Sequence, residues 1–245
     1  MATVLKADKK RLSRTRQEQE RLIRQELTQN LSHELKTPVS SILGYIETLV
    51  LNPDLEPEKV RFFIERCFIQ TQRLSRLIED ISLLNQLDHV PERFPFESID
   101  LFQIIDNVLK DVSLQLLEKC VQVVLPPLQR LMVFGNDSLL YSIFRNLIDN
   151  AITYAGTNVT ISISWIDKGD SFLYFSFSDD GPGVDPEHLP HLFDRFYRID
   201  SGRSRKQGGT GLGLSIVKNG IMAHGGSVEA FTDGKGLTFL FKLRK

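Results

Sequence analysis

From Lys9 to Val50 the chain holds one proline, Pro38, and one glycine, Gly44, while apolar residues recur at Ile23, Leu27, Leu31, Leu35, Ile42, Ile46 and Leu49. Those spacings lie close to multiples of 3.6, so the segment is predicted to be one long amphipathic helix. Asn52-Pro53-Asp54-Leu55-Glu56-Pro57 ends it, because each proline disfavours helix in the residue before it. A second helix is predicted from Glu58 to Asp88, where Val60, Ile64, Cys67, Thr71, Leu74, Ile78 and Ile81 alternate steps of four and three. Phe63, Leu77 and Leu84 widen that seam beyond what two helices can hide from water. Pairing two such hairpins into a dimeric four-helix bundle buries the excess.

After Val90-Pro91 the texture changes. Short strand-like runs (Arg93–Glu97, Val121–Leu125, Met132–Phe134, Val159–Ser164, Phe172–Ser178, Ser227–Phe231, Leu237–Leu243) alternate with helical patterns at 100–118, 137–154 and 212–224. Strands and helices in this order predict a sheet with helices on one face. The expected fold class is α + α/β, a helical hairpin followed by an α/β sandwich. Its domains would be a basic helical segment at 1–24, a hairpin domain at 25–90 and a sandwich domain at 91–245.

A formal charge of −1 gives no reason to expect nucleic acid, which favours a basic domain. The first 24 residues are an exception, with eight Lys and Arg against Asp8, Glu18 and Glu20. Such a segment suits either a solvated helix end or the cytoplasmic flank of a preceding membrane helix. No apolar run reaches the ~18–20 residues of a membrane span, and no signal-peptide pattern follows Met1. Cys67 and Cys120 have neither disulfide-framework nor metal-site spacing, which fits a reducing compartment.

His33 lies about 200° round the first helix from Leu31 and Leu35, so it faces away from the apolar stripe and into solvent. Asn30 and Thr37 share that face, and Glu34 is adjacent. A neutral imidazole is a good nitrogen nucleophile near pH 7, and a neighbouring carboxylate can take the proton from its other nitrogen. Taken alone, the same histidine is a solvated surface residue. H-E-x-x-T lacks the second histidine of a zincin motif. Pro38 removes a helix hydrogen bond and is expected to bend the helix just past His33.

Further along, Asn146 and Asn150 stand at i and i+4 on one helix face, where amides can offer a carbonyl oxygen to Mg²⁺ and N–H groups to phosphates. Asp179-Asp180-Gly181-Pro182-Gly183-Val184 is a tight turn on any reading. Asp179 can also accept the exocyclic amine of adenine, with Gly181 and Gly183 letting the base approach the backbone. Gly209-Thr210-Gly211-Leu212-Gly213-Leu214 opens a helix whose first N–H groups can receive phosphate. It is neither G-x-G-x-x-G nor a Walker A loop. Ser201–Gln207 before it, polar and basic, reads as a lid over phosphates or as a plain loop.

Together these segments resemble the histidine kinases of bacterial two-component signalling, over nearly the whole chain from residue 25. The order is that of the family: an H-box (Ser32–Pro38), an N-box (Asn146–Tyr154), a G1 box (Asp179–Gly183), an F-box (Leu192–Arg198) and a G2 box (Gly209–Leu214). The resemblance implies a phosphoacceptor hairpin and an ATP-binding domain of the type shared with gyrase and Hsp90. His33 would be the phosphoacceptor, Glu34 its acid/base partner, and Thr37 the residue that positions water for dephosphorylating the partner. Asn146 would hold Mg²⁺ with Asn150 beside the triphosphate, Asp179 would bind adenine, and Tyr154 would line the pocket. Phe193 and Phe196 would anchor the lid, Arg198 would reach the γ-phosphate, and the Gly211–Leu214 amides would cradle phosphates. One departure stands out. Family N-boxes often carry Lys or Arg where this chain has Thr153, so either Arg203, Arg205 or Lys206 supplies that charge or nucleotide affinity is weaker.

The expected activity is autophosphorylation of His33 by Mg-ATP, passage of the phosphoryl group to an aspartate on a response regulator, and dephosphorylation of that regulator. A mobile joint near Leu87–Pro95 would let His33 and ATP meet. The expected partners are a second copy of the chain and the regulator's receiver domain, with no nucleic acid. The expected location is cytoplasmic, as the inner part of a membrane receptor whose sensor precedes this sequence. Two rivals share some of these features: an ATP-hydrolysing clamp, and a degenerate kinase acting as a dimeric scaffold.

Overall fold

The computed structural model describes residues 28–89, 94–127, 130–199 and 209–245. The basic stretch 1–24, part of the expected joint and the lid Ser201–Gln207 therefore lie outside the described residues. By its contacts the chain divides into Met1–Ile78 and Glu79–Lys245.

In the first unit, helix α1 spans residues 28–51 and helix α2 begins at Pro57, running to His89. Asn52 closes α1 by donating to the Thr48 carbonyl at 2.8 Å, and its own carbonyl accepts from Leu55 N–H. Contacts across the hairpin run in opposite senses along the two helices: Tyr45 meets Phe63 at 5.9 Å between rings, Cys67 Sγ reaches the Ile42 carbonyl, and Arg73 reaches Glu34. That ordering is what antiparallel helices require. Val39, Leu43, Ile46 and Val50 on α1 and Ile64 and Phe68 on α2 stay exposed in the single chain, whereas Leu77 and Leu84, expected to widen the seam, are already buried within it. Helix α1 continues unbroken through Pro38, which is buried.

The second unit takes in the last turns of α2. Asp88 accepts two bonds from Arg195, at 2.8 and 2.7 Å, and Asp80 accepts one from Thr210 at 3.0 Å. There follow β1 (Glu97–Asp100), α3 (Leu101–Asp111), α4 (Ser113–Glu118), β2 (Gln122–Val124), β3 (Met132–Gly135), α5 (Asp137–Tyr154), β4 (Thr160–Asp167), β5 (Phe172–Asp179), a 3₁₀ turn (Pro186–His191), α6 (Gly213–Ala223), β6 (Val228–Phe231) and β7 (Thr238–Arg244). Strands β1 and β3 form a small antiparallel sheet. The other five form a mixed sheet in the order β2-β4-β5-β7-β6, parallel only between β2 and β4.

Burial alternates along the central strands, so Ile161, Ile163, Leu173, Phe175, Phe177, Phe239, Phe241 and Leu243 share one face. Helices cover that face. Phe175 stacks on Phe241 at 5.1 Å, and Phe144 of α5 meets both edge-on. Helix α5 buries Leu139, Leu140, Ile143, Phe144, Leu147, Ile148, Ala151 and Ile152 and packs on both α3 and α6. Its N-terminus is capped by Asn136, whose side chain accepts from Leu139 N–H at 3.1 Å.

Two expectations shift. Of the expected strand Arg93–Glu97, Arg93 lies outside the described residues and the strand begins at Glu97, since Pro95 has no N–H to give a ladder. The predicted helix 100–118 is two helices. Val112 is fully buried at the break, and the Ser113 hydroxyl bonds back to the Lys110 carbonyl at 2.7 Å, competing with the helix pattern.

Candidate functional site

The acceptor region lies on α1. His33 is exposed, as its angular distance from the apolar stripe requires, and Thr37 is exposed one turn on. The Thr37 hydroxyl donates to the His33 carbonyl at 3.1 Å, the structural use open to a threonine just before a helical proline. Glu34, about 100° round the helix from His33, faces α2 instead. Its Oε2 accepts from Arg73 Nη2 at 3.1 Å, and both side chains are only 12% exposed.

Arg73 was not singled out from the sequence. The hairpin supplied a signal nonetheless: reflecting position 34 through the middle of the turn at 53–57 lands three residues from position 73.

In the second unit, the burial stripe on α5 leaves Asn146 and Asn150 together on an adjoining, partly exposed face. Asn146 turns its Nδ2 back to the Ser142 carbonyl at 2.8 Å, which sets its Oδ1 against Gly213, where a Cβ would sit 2.6 Å from it. Two turns further along α5, the Tyr154 hydroxyl lies against Gly209, again 2.6 Å from where a Cβ would stand. The loop Gly209–Gly213 thus runs along α5 from the level of Tyr154 to that of Asn146, about 12 Å at 1.5 Å per residue. That is long enough for a triphosphate.

Between those two contacts Gly211 adopts φ +73°, and its carbonyl accepts from Phe196 N–H at 2.8 Å. A Cβ on Gly211 would come 2.9 Å from Phe196 Cα, and Phe196 is itself left-handed at φ +64°. Arg198 donates to the Gly209 carbonyl, and Phe193 packs edge-on to Phe239 at 6.0 Å. Thr210 accepts from Leu212 N–H at 3.2 Å. Leu212, the N-cap of α6, has no side-chain group to cap it, so the helix begins without a side-chain partner for its first N–H groups.

Asp179 ends β5. Its carboxylate accepts from Gly181 N–H at 3.0 Å, and its backbone N–H donates to Leu237 O. Burial raises its pKa, against backbone hydrogen bonds from Gly181 and Leu237 that lower it, and Asp180's charge raises it a little more. Gly181 sits on Ala155 at the C-cap of α5, with room for no side chain, and Gly183 takes φ +70° against Gly236 and Thr232. Burial raises the Tyr154 pKa too, with the Arg198 cation opposing.

The structure thus gathers Asn146, Tyr154, Phe196, Arg198 and Gly209–Gly213 along one side of α5, with the Asp179–Gly183 turn at the end of that helix. Asn150 and Thr153 share this side. Among the described residues no group of three or more His, Cys, Asp or Glu could hold a metal by itself. Mg²⁺ takes oxygen ligands and keeps several waters beside substrate phosphates, so the protein need supply few of its ligands. Asn146 Oδ1, turned toward the start of α6, fits that role. Among the described residues no helix is long and apolar enough to cross a membrane.

Two family models match the chain. The His Kinase A (phospho-acceptor) domain covers residues 23–90, and the Histidine kinase-, DNA gyrase B-, and HSP90-like ATPase covers residues 135–245. The phosphate regulon sensor protein PhoR of Haemophilus influenzae is 33% identical over 225 residues, 91% of this chain and 52% of that protein. The sensor histidine kinase WalK of Bacillus subtilis is 33% identical over 236 residues, 94% of this chain and 38% of that one. The chain therefore spans about half or less of the length of these relatives. The Acinetobacter baumannii histidine kinase AdeS superposes with a TM-score of 0.71 at 25% identity, covering 86% of this chain and 97% of that structure. The histidine kinase ThkA, solved in complex with response regulator protein TrrA, gives 0.72 at 24% identity, over 93% of this chain and 64% of that one.

Proposed function

Since the chain belongs to the histidine kinases, carrying both a His Kinase A region and a histidine kinase-type ATPase region, we propose that it transfers the γ-phosphoryl group of ATP to His33 and then to an aspartate of a response regulator. The observation that carries this reading is the glycine-lined run along α5. Gly209, Gly211 and Gly213 lie so close to Tyr154, Phe196 and Asn146 that a side chain at any of them would clash, and α6 opens behind them without a side-chain cap.

Phosphoryl transfer depends on positioning and on neutralising charge more than on covalent assistance. The α6 N–H groups and Arg198 supply positive potential, Asp179 receives the adenine amine, and Tyr154 closes the side of the pocket. Asn146 would hold Mg²⁺, which when bound neutralises phosphate charge. One ring nitrogen of His33 forms the new N–P bond while the P–O bond to ADP breaks. The proton on the other ring nitrogen passes to Glu34. The phosphoryl group then moves from nitrogen to the regulator's carboxylate oxygen.

The same reading assigns residues 25–90 to dimerisation and phosphoacceptance, 91–245 to ATP, and 1–24 to a linker. A second copy of the hairpin would cover Val39, Leu43, Ile46, Val50, Ile64 and Phe68. Thr37 would also orient water for regulator dephosphorylation. The chain would work as the cytoplasmic portion of a membrane receptor, within a protein longer than this sequence.

Incubation with γ-labelled ATP and Mg²⁺ tests the reading. Acid-labile label should appear on the parent and vanish in His33→Gln, with ATP affinity kept within about twofold. Turnover of ATP without label would mark an ATPase clamp, and neither turnover nor label a scaffold. Label retained in His33→Gln would displace His33 as the acceptor.

A further inference from the structure

Glu34 is the residue next to His33, yet it points across the hairpin, and what it meets there is a cation. Arg73, on the facing helix, donates from Nη2 to Glu34 Oε2 at 3.1 Å. At 12% exposure each, the two side chains are more enclosed than the Arg145–Asp149 pair (22% and 33%) or the Arg195–Asp88 pair (25% and 33%). The Arg61–Glu65 pair, on one helix, is largely open to solvent.

We propose that Arg73 is a positioning residue for phosphoryl transfer, holding the carboxylate of Glu34 at one place in the groove between α1 and α2, from which it takes the proton of His33 when that ring turns toward it. The inference rests on the acid/base role read for Glu34. A glutamate has three side-chain torsions, and one that must meet a ring proton beside it gains from having most of them frozen in advance. Arginine suits the task. Its guanidinium is planar, permanently charged and weakly hydrated, so it can hold a carboxylate in a partly enclosed groove. An ionised carboxylate offers about four lone-pair sites, so a guanidinium bond does not by itself bar it from accepting a proton. Arg73 touches neither the reacting nitrogen nor the phosphorus in this account. It acts through Glu34 alone, and that restriction makes the proposal testable.

The test uses the full chain and four variants: Arg73→Gln, Arg73→Lys, Glu34→Gln and the double variant Glu34→Gln/Arg73→Gln. Autophosphorylation is followed with labelled ATP across a range of ATP concentrations, with thermal melting and oligomeric state measured beside it. Arg73→Gln should lower the maximal rate about tenfold while KM for ATP stays within about twofold. Arg73→Lys, which keeps a cation near the carboxylate, should recover at least a third of the parental rate. The double variant should be no slower than Glu34→Gln, because a residue acting only through Glu34 has nothing left to position.

The proposal is overturned by a parental rate in Arg73→Gln, by losses that multiply in the double variant, or by a rate that falls only in step with melting temperature and is not rescued by lysine. If Arg73→Gln does not fold, the comparison of Glu34→Gln with the double variant carries the test, since neither leaves a carboxylate without its cation. A parental rate in Glu34→Gln removes the acid/base role itself and the proposal with it, while label retained in His33→Gln would be a failure of the acceptor assignment.

Discussion

Asp179→Asn should weaken adenine nucleotide binding and stabilise the empty protein, two changes of opposite sign from one atom. The Asp179 carboxylate accepts from Gly181 N–H at 3.0 Å, a bond that an asparagine oxygen can keep. The second oxygen, proposed to face the adenine amine, would become an NH₂ group, so donor would meet donor. Losing a hydrogen bond to a charged acceptor costs roughly 1.5–3 kcal/mol, or about tenfold to about 150-fold in Kd for ADP and ATP alike. Inosine diphosphate carries a carbonyl where adenine has its amine, and it should lose far less or gain. Burial raises the Asp179 pKa, so the folded state holds this proton to a higher pH than the unfolded chain does. Such a group contributes stability below the unfolded value near 3.9 and loses it as pH rises through the folded value, leaving a destabilising ionised carboxylate at neutral pH. Removing that charge should raise Tm of the nucleotide-free protein at pH 7. Calorimetry with ADP and inosine diphosphate, beside thermal melts, reads all three quantities. Equal losses for both nucleotides, or a lower Tm, would refute the reasoning and mark Asp179 as a turn residue.

Three further outcomes are expected. Asn146→Ala should make ATP binding less dependent on Mg²⁺ and slow transfer; a titration of ATP affinity against Mg²⁺ that matches the parent would remove the metal assignment. Thr37→Ala gives up only an exposed bond to the His33 carbonyl, so Tm and autophosphorylation should hold while regulator dephosphorylation with ADP present drops at least about tenfold, roughly 1.4 kcal/mol of barrier. Kinase activity and Tm falling together would show that the hydroxyl serves the helix alone. His224 is kept neutral by burial, receiving Asn136 N–H at Nε2 (3.1 Å) and facing the Gly220 carbonyl with Nδ1 (2.7 Å). Its folded pKa lies below the unfolded one, so stability is full above about pH 6.5 and declines as pH falls toward the folded value; the urea midpoint should drop between pH 7.5 and 5.5, and by less in His224→Gln.

Periodicity made the helices legible. The helical pattern at 137–154 predicted the span of α5, and the i, i+4 spacing put Asn146 and Asn150 on one face; the burial of Leu147 and Ile148 then sets that face beside the core. The strand runs were equally readable, since alternation survives wherever one sheet face is buried. What escaped were pairings across the fold. Arg73 looks like any charge on a helix until the hairpin brings it to Glu34, and Tyr154 meets Gly209 only because α5 and the glycine loop run side by side. The break at Val112 was hidden for a related reason: a buried valine and a serine bonding backward are compatible with helix locally, and only the core decides against it.

The costly features of the second unit cluster on the side of α5 that meets the glycine loop. Phe196 holds a left-handed backbone, which costs a bulky residue on the order of 1–2 kcal/mol. Asp179 carries a charge into partial burial, and the glycine loop sacrifices side-chain packing at three positions. The opposite side of α5 offsets them with eight buried apolar residues and with Phe144 edge-on to the stacked Phe175 and Phe241. A layout of this kind separates the effects of mutation by face. Truncations on the buried face, such as Phe144→Ala, should cost about 3–5 kcal/mol and abolish folding and activity together. Relief of the costs on the other face should leave a more stable chain with a poorer pocket, because Phe196, in its left-handed conformation, gives its N–H to the Gly211 carbonyl and so holds the shape of the loop proposed to receive phosphate.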